Sequence, residues 1–198
     1  MQESSKVSLS AFEQQLVTDA NWILTKNRII EKVYLLFGNL SERYKLEPLL
    51  QQLPSETLIT SPKIAKGENY EGLPYVMLDY PRCFGKEDTF AIRTFFWWGN
   101  FFSITLQLKG KYLEKYAEVI QQNINKNFIE NLWMNTCDEE WIHHFRNDNM
   151  IRTTEQQQSI SDKKILKLAV QCKLEEWDKA EAKLSASFQQ LLELVQQH

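Results

Sequence analysis

Apolar residues Phe12, Leu16, Ala20, Ile23, Ile30, Tyr34 and Phe37 recur at three-, four- and seven-residue intervals, the stripe of a helix that packs one face on a core. Ser10-Ala11-Phe12-Glu13 has the spacing of a capping box, in which the serine oxygen accepts from the third amide while the glutamate reaches back. The pattern therefore predicts a helix opening near Ala11, with Gly38 as its stop. Leu46, Leu49, Leu50 and Leu53, with Pro48 in a first turn, predict a shorter second helix over 41–53 that Pro54 ends.

Beyond Pro54 the apolar positions become mostly β-branched or aromatic, and Pro62, Gly67, Gly72, Pro74 and Pro81 punctuate them. One strand is expected over 73–80, followed by a loop through Gly85-Lys-Glu-Asp88. The runs 89–98 and 101–109 flank Gly99-Asn100, a pair suited to the positive φ angles of a two-residue hairpin turn. Closed there, the hairpin sets Trp97 opposite Phe102, Phe95 opposite Ile104, Arg93 opposite Leu106 and Ala91 opposite Leu108. That face is apolar except for Arg93; the other grades from aromatic at the turn to polar and is expected to be half covered.

Tyr112, Tyr116, Val119, Ile120, Ile124 and Phe128 restore helical spacing. Thr136-Cys-Asp-Glu139 has capping-box spacing and predicts a short helix through Trp141 and Phe145. The polar stretch 146–161, with Gln156-Gln157-Gln158, reads as a mobile loop. Strict alternation from Ile165 to Leu174 predicts a half-buried strand, and Trp177, Ala180, Leu184, Phe188, Leu191 and Val195 a closing amphipathic helix. Together these give an α+β class: a mainly antiparallel sheet of four to six strands around a central aromatic hairpin, packed by N-terminal and C-terminal helices. The whole of 1–198 is read as one domain, helical over about 10–53 and sheet plus helices over about 57–198.

Composition narrows the partners. A net charge of −3 and a pI near 5.7 supply no positive field for nucleic acid or an anionic membrane. The N-terminus lacks a signal-peptide pattern and no run is long enough for a membrane span, so a cytoplasmic protein is expected. Cys83, Cys137 and Cys172 are odd in number and widely spaced, which predicts separate reduced thiols.

Nucleotide-binding loops, dinucleotide glycine patterns, H-E-x-x-H and the nucleophile elbow are all missing from the sequence, and no cofactor or metal is expected. Glu139 and His143 would share a face of the short helix as a two-ligand pair, or be surface groups near a helix start. His143 and His144, being adjacent, point to different sides of a helix, and the third histidine is His198. The candidate binding constellation is Asp79, Tyr80, Arg82, Arg93, Trp97 and Trp98, which gathers carboxylate, guanidinium and indole groups on neighbouring strands and their loop. Arg93 in an apolar face must be paired, with Asp79 as structural partner or with an anionic ligand. Trp97, Trp98, Phe101 and Phe102 at the hairpin tip are either core and cover or a stacking surface, and Trp22, Trp133, Trp141 and Trp177 read as packing residues. The functional expectation is a non-catalytic domain that binds a small anionic molecule or a protein partner. The alternatives are an enzyme using Asp79, Arg82 and Arg93 on an anionic substrate, and a homodimer formed through the aromatic face.

The runs Gly67-Glu-Asn-Tyr70, Gly72-Leu-Pro-Tyr75, Leu78-Asp-Tyr-Pro-Arg82, Phe90-Ala-Ile-Arg93 and Phe96-Trp-Trp-Gly99, with Leu168-Ala-Val170 and Glu176-Trp-Asp178, resemble an uncharacterised bacterial protein family of unknown function. The resemblance implies a bacterial, cytoplasmic protein and brings neither an activity nor assigned catalytic residues.

Overall fold

A computed structural model describes residues 7–126, 129, 131–155 and 159–197. The expected positions Phe128, Gln156 to Gln158 and His198 lie outside them.

The capping box forms as the sequence predicts: Ser10 caps Glu13 and Glu13 returns to the Ser10 amide at 2.7 Å. Helix α1 (Ala11–Thr18) then breaks at Asp19, whose carboxylate accepts from the Asn21 amide at 2.9 Å and opens α2 (Ala20–Lys45). Gly38 does not stop α2, which runs two turns further, and the expected second helix is reduced to a 3-10 segment, Pro48–Gln52.

Seven strands follow: β1 (Lys63–Tyr70), β2 (Leu73–Phe84), β3 (Thr89–Trp97), β4 (Phe101–Lys109), β5 (Leu132–Asn135), β6 (Met150–Arg152) and β7 (Ile165–Lys173). They form one antiparallel sheet in the order β1-β2-β3-β4-β7-β5-β6. β2 continues past its expected end through a cis Tyr80–Pro81 peptide, with a register shift between Asp79 and Arg82. β6 occupies part of the stretch expected to be loop. Helix α3 (Lys111–Lys126) lies between β4 and β5, and α4 (Trp177–Glu193) closes the chain as expected.

The hairpin is present, but its register differs by one residue. Trp98, Gly99 and Asn100 all belong to the turn, Gly99 at φ +70°, and the pairs are Trp97 with Phe101, Phe96 with Phe102, Thr94 with Ile104 and Arg93 with Thr105. The slip puts Phe90, Ile92 and Phe96 on the same face as Phe102, Ile104, Leu106 and Leu108, so every large apolar group of β4 but Phe101 meets the helices. The hydrophobic pattern thus selects the register over the shortest turn, because a one-residue shift exchanges the faces.

That helix-side face forms one core with Val33, Phe37, Leu40 and Tyr44 of α2 and Leu184, Phe188 and Leu191 of α4, Tyr44 stacking on Phe188 at 3.8 Å between centroids. Burial at about 1.5–3 kcal/mol per large apolar side chain makes this face the main source of stability. The first part of the N-terminal stripe does not join it. α1 buries no residue, the buried positions of α2 begin at Ile30, and Val7, Leu9, Phe12, Val17, Trp22, Ile23 and Leu24 all stand exposed. No helix among the described residues is long and apolar enough to cross a membrane.

Candidate functional site

The sheet's second face carries the polar positions of each strand: Asp79 on β2, Arg93 on β3, Thr105 and Gln107 on β4, Lys167 on β7. Asp79 and Arg93 are direct cross-strand partners, and their side chains meet in a two-pronged pair, Nε to Oδ1 at 2.7 Å and Nη2 to Oδ2 at 2.9 Å. Both are buried. The Phe84 and Trp141 rings flank the guanidinium at 5.5 and 5.7 Å, where a delocalised cation gains from an aromatic face.

Residues 136–149, of which 136–145 are expected as a short helix, form an irregular segment folded over this face. Five anchors hold it. Lys167 Nζ donates to the Glu139 carbonyl and, at 3.0 Å, to the Ile142 carbonyl. Lys109 pairs with Glu140 at 2.6 Å, and Arg146 with Glu71 at 3.0 Å. The Tyr70 hydroxyl accepts from the amides of His143 at 2.6 Å and His144 at 3.1 Å, which leaves its own hydrogen for His144 Nδ1 at 3.0 Å. Arg93 Nη1 reaches His143 Nε2 at 3.1 Å; a guanidinium only donates, so that nitrogen accepts and the ring proton sits on Nδ1. The helix prediction fails because Tyr70 and Lys167 bind backbone groups that an α-helix would need internally.

The electrostatics follow from this enclosure. Burial first, then the Arg93 charge, holds His143 well below the usual imidazole range, and burial with Arg146 lowers His144 as well. Burial brings Lys167 down to about 8, with Arg93 adding repulsion, and pushes the Tyr70 phenol up.

Of the six expected site residues, Asp79, Arg93 and Trp97 share this face. Trp97 donates its indole N–H to the Tyr70 carbonyl at 3.1 Å and packs edge-on against Phe101 and Tyr70. The other three do not converge with them. Tyr80 belongs to the helix-side core, where burial raises its phenol. Trp98 lies on the helix side, edge-on to Trp22 and Phe96. Arg82 donates Nε to the Ser61 carbonyl at 2.7 Å, tying the C-terminal part of β2 to the segment before β1. Trp22 and Trp141 stay partly exposed while touching Trp98 and Arg93, whereas Trp177 and Trp133 pack more fully, the latter against Phe145.

With no helix over 136–149, Glu139 and His143 form no i, i+4 pair, and no group of three candidate metal ligands occurs among the described residues. Cys83, Cys137 and Cys172 are free thiols. Tyr70, His143 and Lys167 completed the cluster without a local signal: Lys167 occupies a polar slot of an alternating strand, indistinguishable in sequence from a solvated one.

The open surfaces lie elsewhere. A groove of ≈ 950 Å³ runs between α2 and β1, lined by Asn27, Ile30, Glu31, Tyr34, Leu35, Lys66 and Glu68. A recess of ≈ 500 Å³ opens at the junction of α1 and α2, lined largely by Leu9, Leu16, Val17, Ala20, Trp22 and Ile23. No known protein family, curated protein or solved structure matches the chain.

Proposed function

We propose that this is a non-catalytic interaction domain whose binding element is the N-terminal helical arm, residues 7–24. One observation carries the reading. α1 contains no buried residue, yet its apolar stripe continues through Ile23, so the chain maintains an amphipathic pattern that its own fold leaves largely exposed. Contiguous exposed apolar surface of this kind marks an interaction site.

The polar face of the sheet supports the same reading from the other side. Both oxygens of Asp79 are taken by Arg93, and Arg93 Nη1 is taken by His143. A guanidinium so committed is a structural ion pair, of the two roles the sequence leaves open, and its surroundings rigidify the sheet.

Replacing Phe12, 67% exposed, by a photo-crosslinking phenylalanine analogue in the full chain tests the proposal in cells that make the protein. A discrete protein adduct at position 12, and none with the same group at exposed Glu118, is the expected result. Equal or empty adduct patterns at the two positions would overturn it.

A further inference from the structure

We infer that the partner of the arm is a second copy of this chain, docked antiparallel along the N-terminal half of α2; the inference rests on the interaction reading above and names its occupant. Ile23, Leu24 and Leu35 are 49%, 51% and 71% exposed, and Tyr34 lines the groove beside them. Ile23 and Leu35 lie twelve residues apart, roughly 18 Å at the rise of an α-helix. Between the two apolar ends stand Asn27, Arg28 and Glu31.

This order is self-complementary. A twofold axis crossing α2 near residue 29 sets Ile23 against the partner's Leu35, Leu24 against its Tyr34 and Asn27 against its Glu31, as an isologous contact requires. Arg28 then stands beside the partner's Glu31 on both sides of the axis. Within one protomer, neither Arg28 nor Glu31 joins an ion pair among the described residues. The two concave surfaces fit the same arrangement. The groove lined by Ile30 and Tyr34 receives the partner's Ile23 and Leu24, while the recess lined by Leu16, Val17 and Ile23 receives the partner's Leu35.

Charge favours a copy over other occupants. Across the axis Arg28 and Glu31 of one copy meet the opposite charge of the other, and Lys26 is already neutralised within its protomer by Glu68.

Sedimentation velocity of the purified full chain at micromolar concentration tests the inference. The wild type is expected to be a dimer, Leu24→Glu and Leu35→Glu each a monomer that keeps the wild-type circular-dichroism spectrum, and Ile59→Glu, at an exposed site in the segment between α2 and β1, a dimer. Arg28→Glu and Glu31→Arg, each weakening association, are expected to restore it when combined, because the reversed charges face each other again. A monomeric wild type, dimeric Leu24→Glu and Leu35→Glu variants, or failure of the charge reversal to restore the dimer would overturn it. The position-12 crosslink separates the two claims. An adduct to a different protein with a monomeric wild type removes the second copy and leaves the interaction reading standing, and no adduct with a monomeric wild type removes both.

Discussion

His143 is where charge and burial meet most tightly. It accepts from Arg93, which is bound to Asp79, so a proton added at Nε2 would set two cations against each other in an enclosed site. Burial and the Arg93 charge lower its folded pKa, and burial lowers that of His144. The unfolded chain, titrating near 6.5, therefore binds more protons than the folded one as pH falls below that value, and stability declines with it. Each histidine contributes a slope of at most about 1.4 kcal/mol per pH unit. Urea denaturation from pH 7 to 5 is expected to show this decline, and His143→Gln, which keeps an acceptor for Arg93 without titrating, to flatten it; an unchanged slope would deny His143 the role. The Asp79 and Arg93 pair was legible from two residues, since a buried arginine demands a counter-charge. The His143 contact was not, because it depends on a segment fifty residues away folding over the sheet.

Elements were legible where their period was long and lost where tertiary groups replaced local bonds. The capping box, α3, the hairpin strands, β7 and α4 follow from pattern alone. The hairpin register did not, because turn chemistry and hydrophobic pairing pointed to alignments one residue apart and pairing won. The 136–149 segment shows the same competition: its capping-box spacing was overridden by Tyr70 at the end of β1, whose single hydroxyl serves two amides and one ring nitrogen. Tyr70→Phe removes all three bonds and retains the ring packing against Phe95 and Trp97. We expect a loss of about 1–3 kcal/mol. Faster hydrogen exchange should be confined to the His143 and His144 amides and their neighbours, with β3 and β4 unaffected. Exchange unchanged at these amides would mean that Lys167 and Lys109 hold the segment without the tyrosine.

For the whole molecule, the decisive contrast is between a sheet covered on both faces and a helical arm left largely exposed. Sequence period alone cannot separate these cases, since a stripe that packs inward and one that packs on a partner are written alike; Phe12 and Leu16 read as core and stand outside it. If the arm pairs with a second copy, apolar burial drives the association, and the exposed Arg28 and Glu31 contact adds at most about 1 kcal/mol per pair. Salt screens only that smaller part. A tenfold rise in sodium chloride is therefore expected to weaken the dimer by less than about thirtyfold for its two symmetric pairs, and the heat of dilution measured at several temperatures should give a negative heat-capacity change of association. A heat-capacity change near zero, with the dimer lost at high salt, would instead assign the contact to charge, and the apolar residues Ile23, Leu24 and Leu35 would need another occupant.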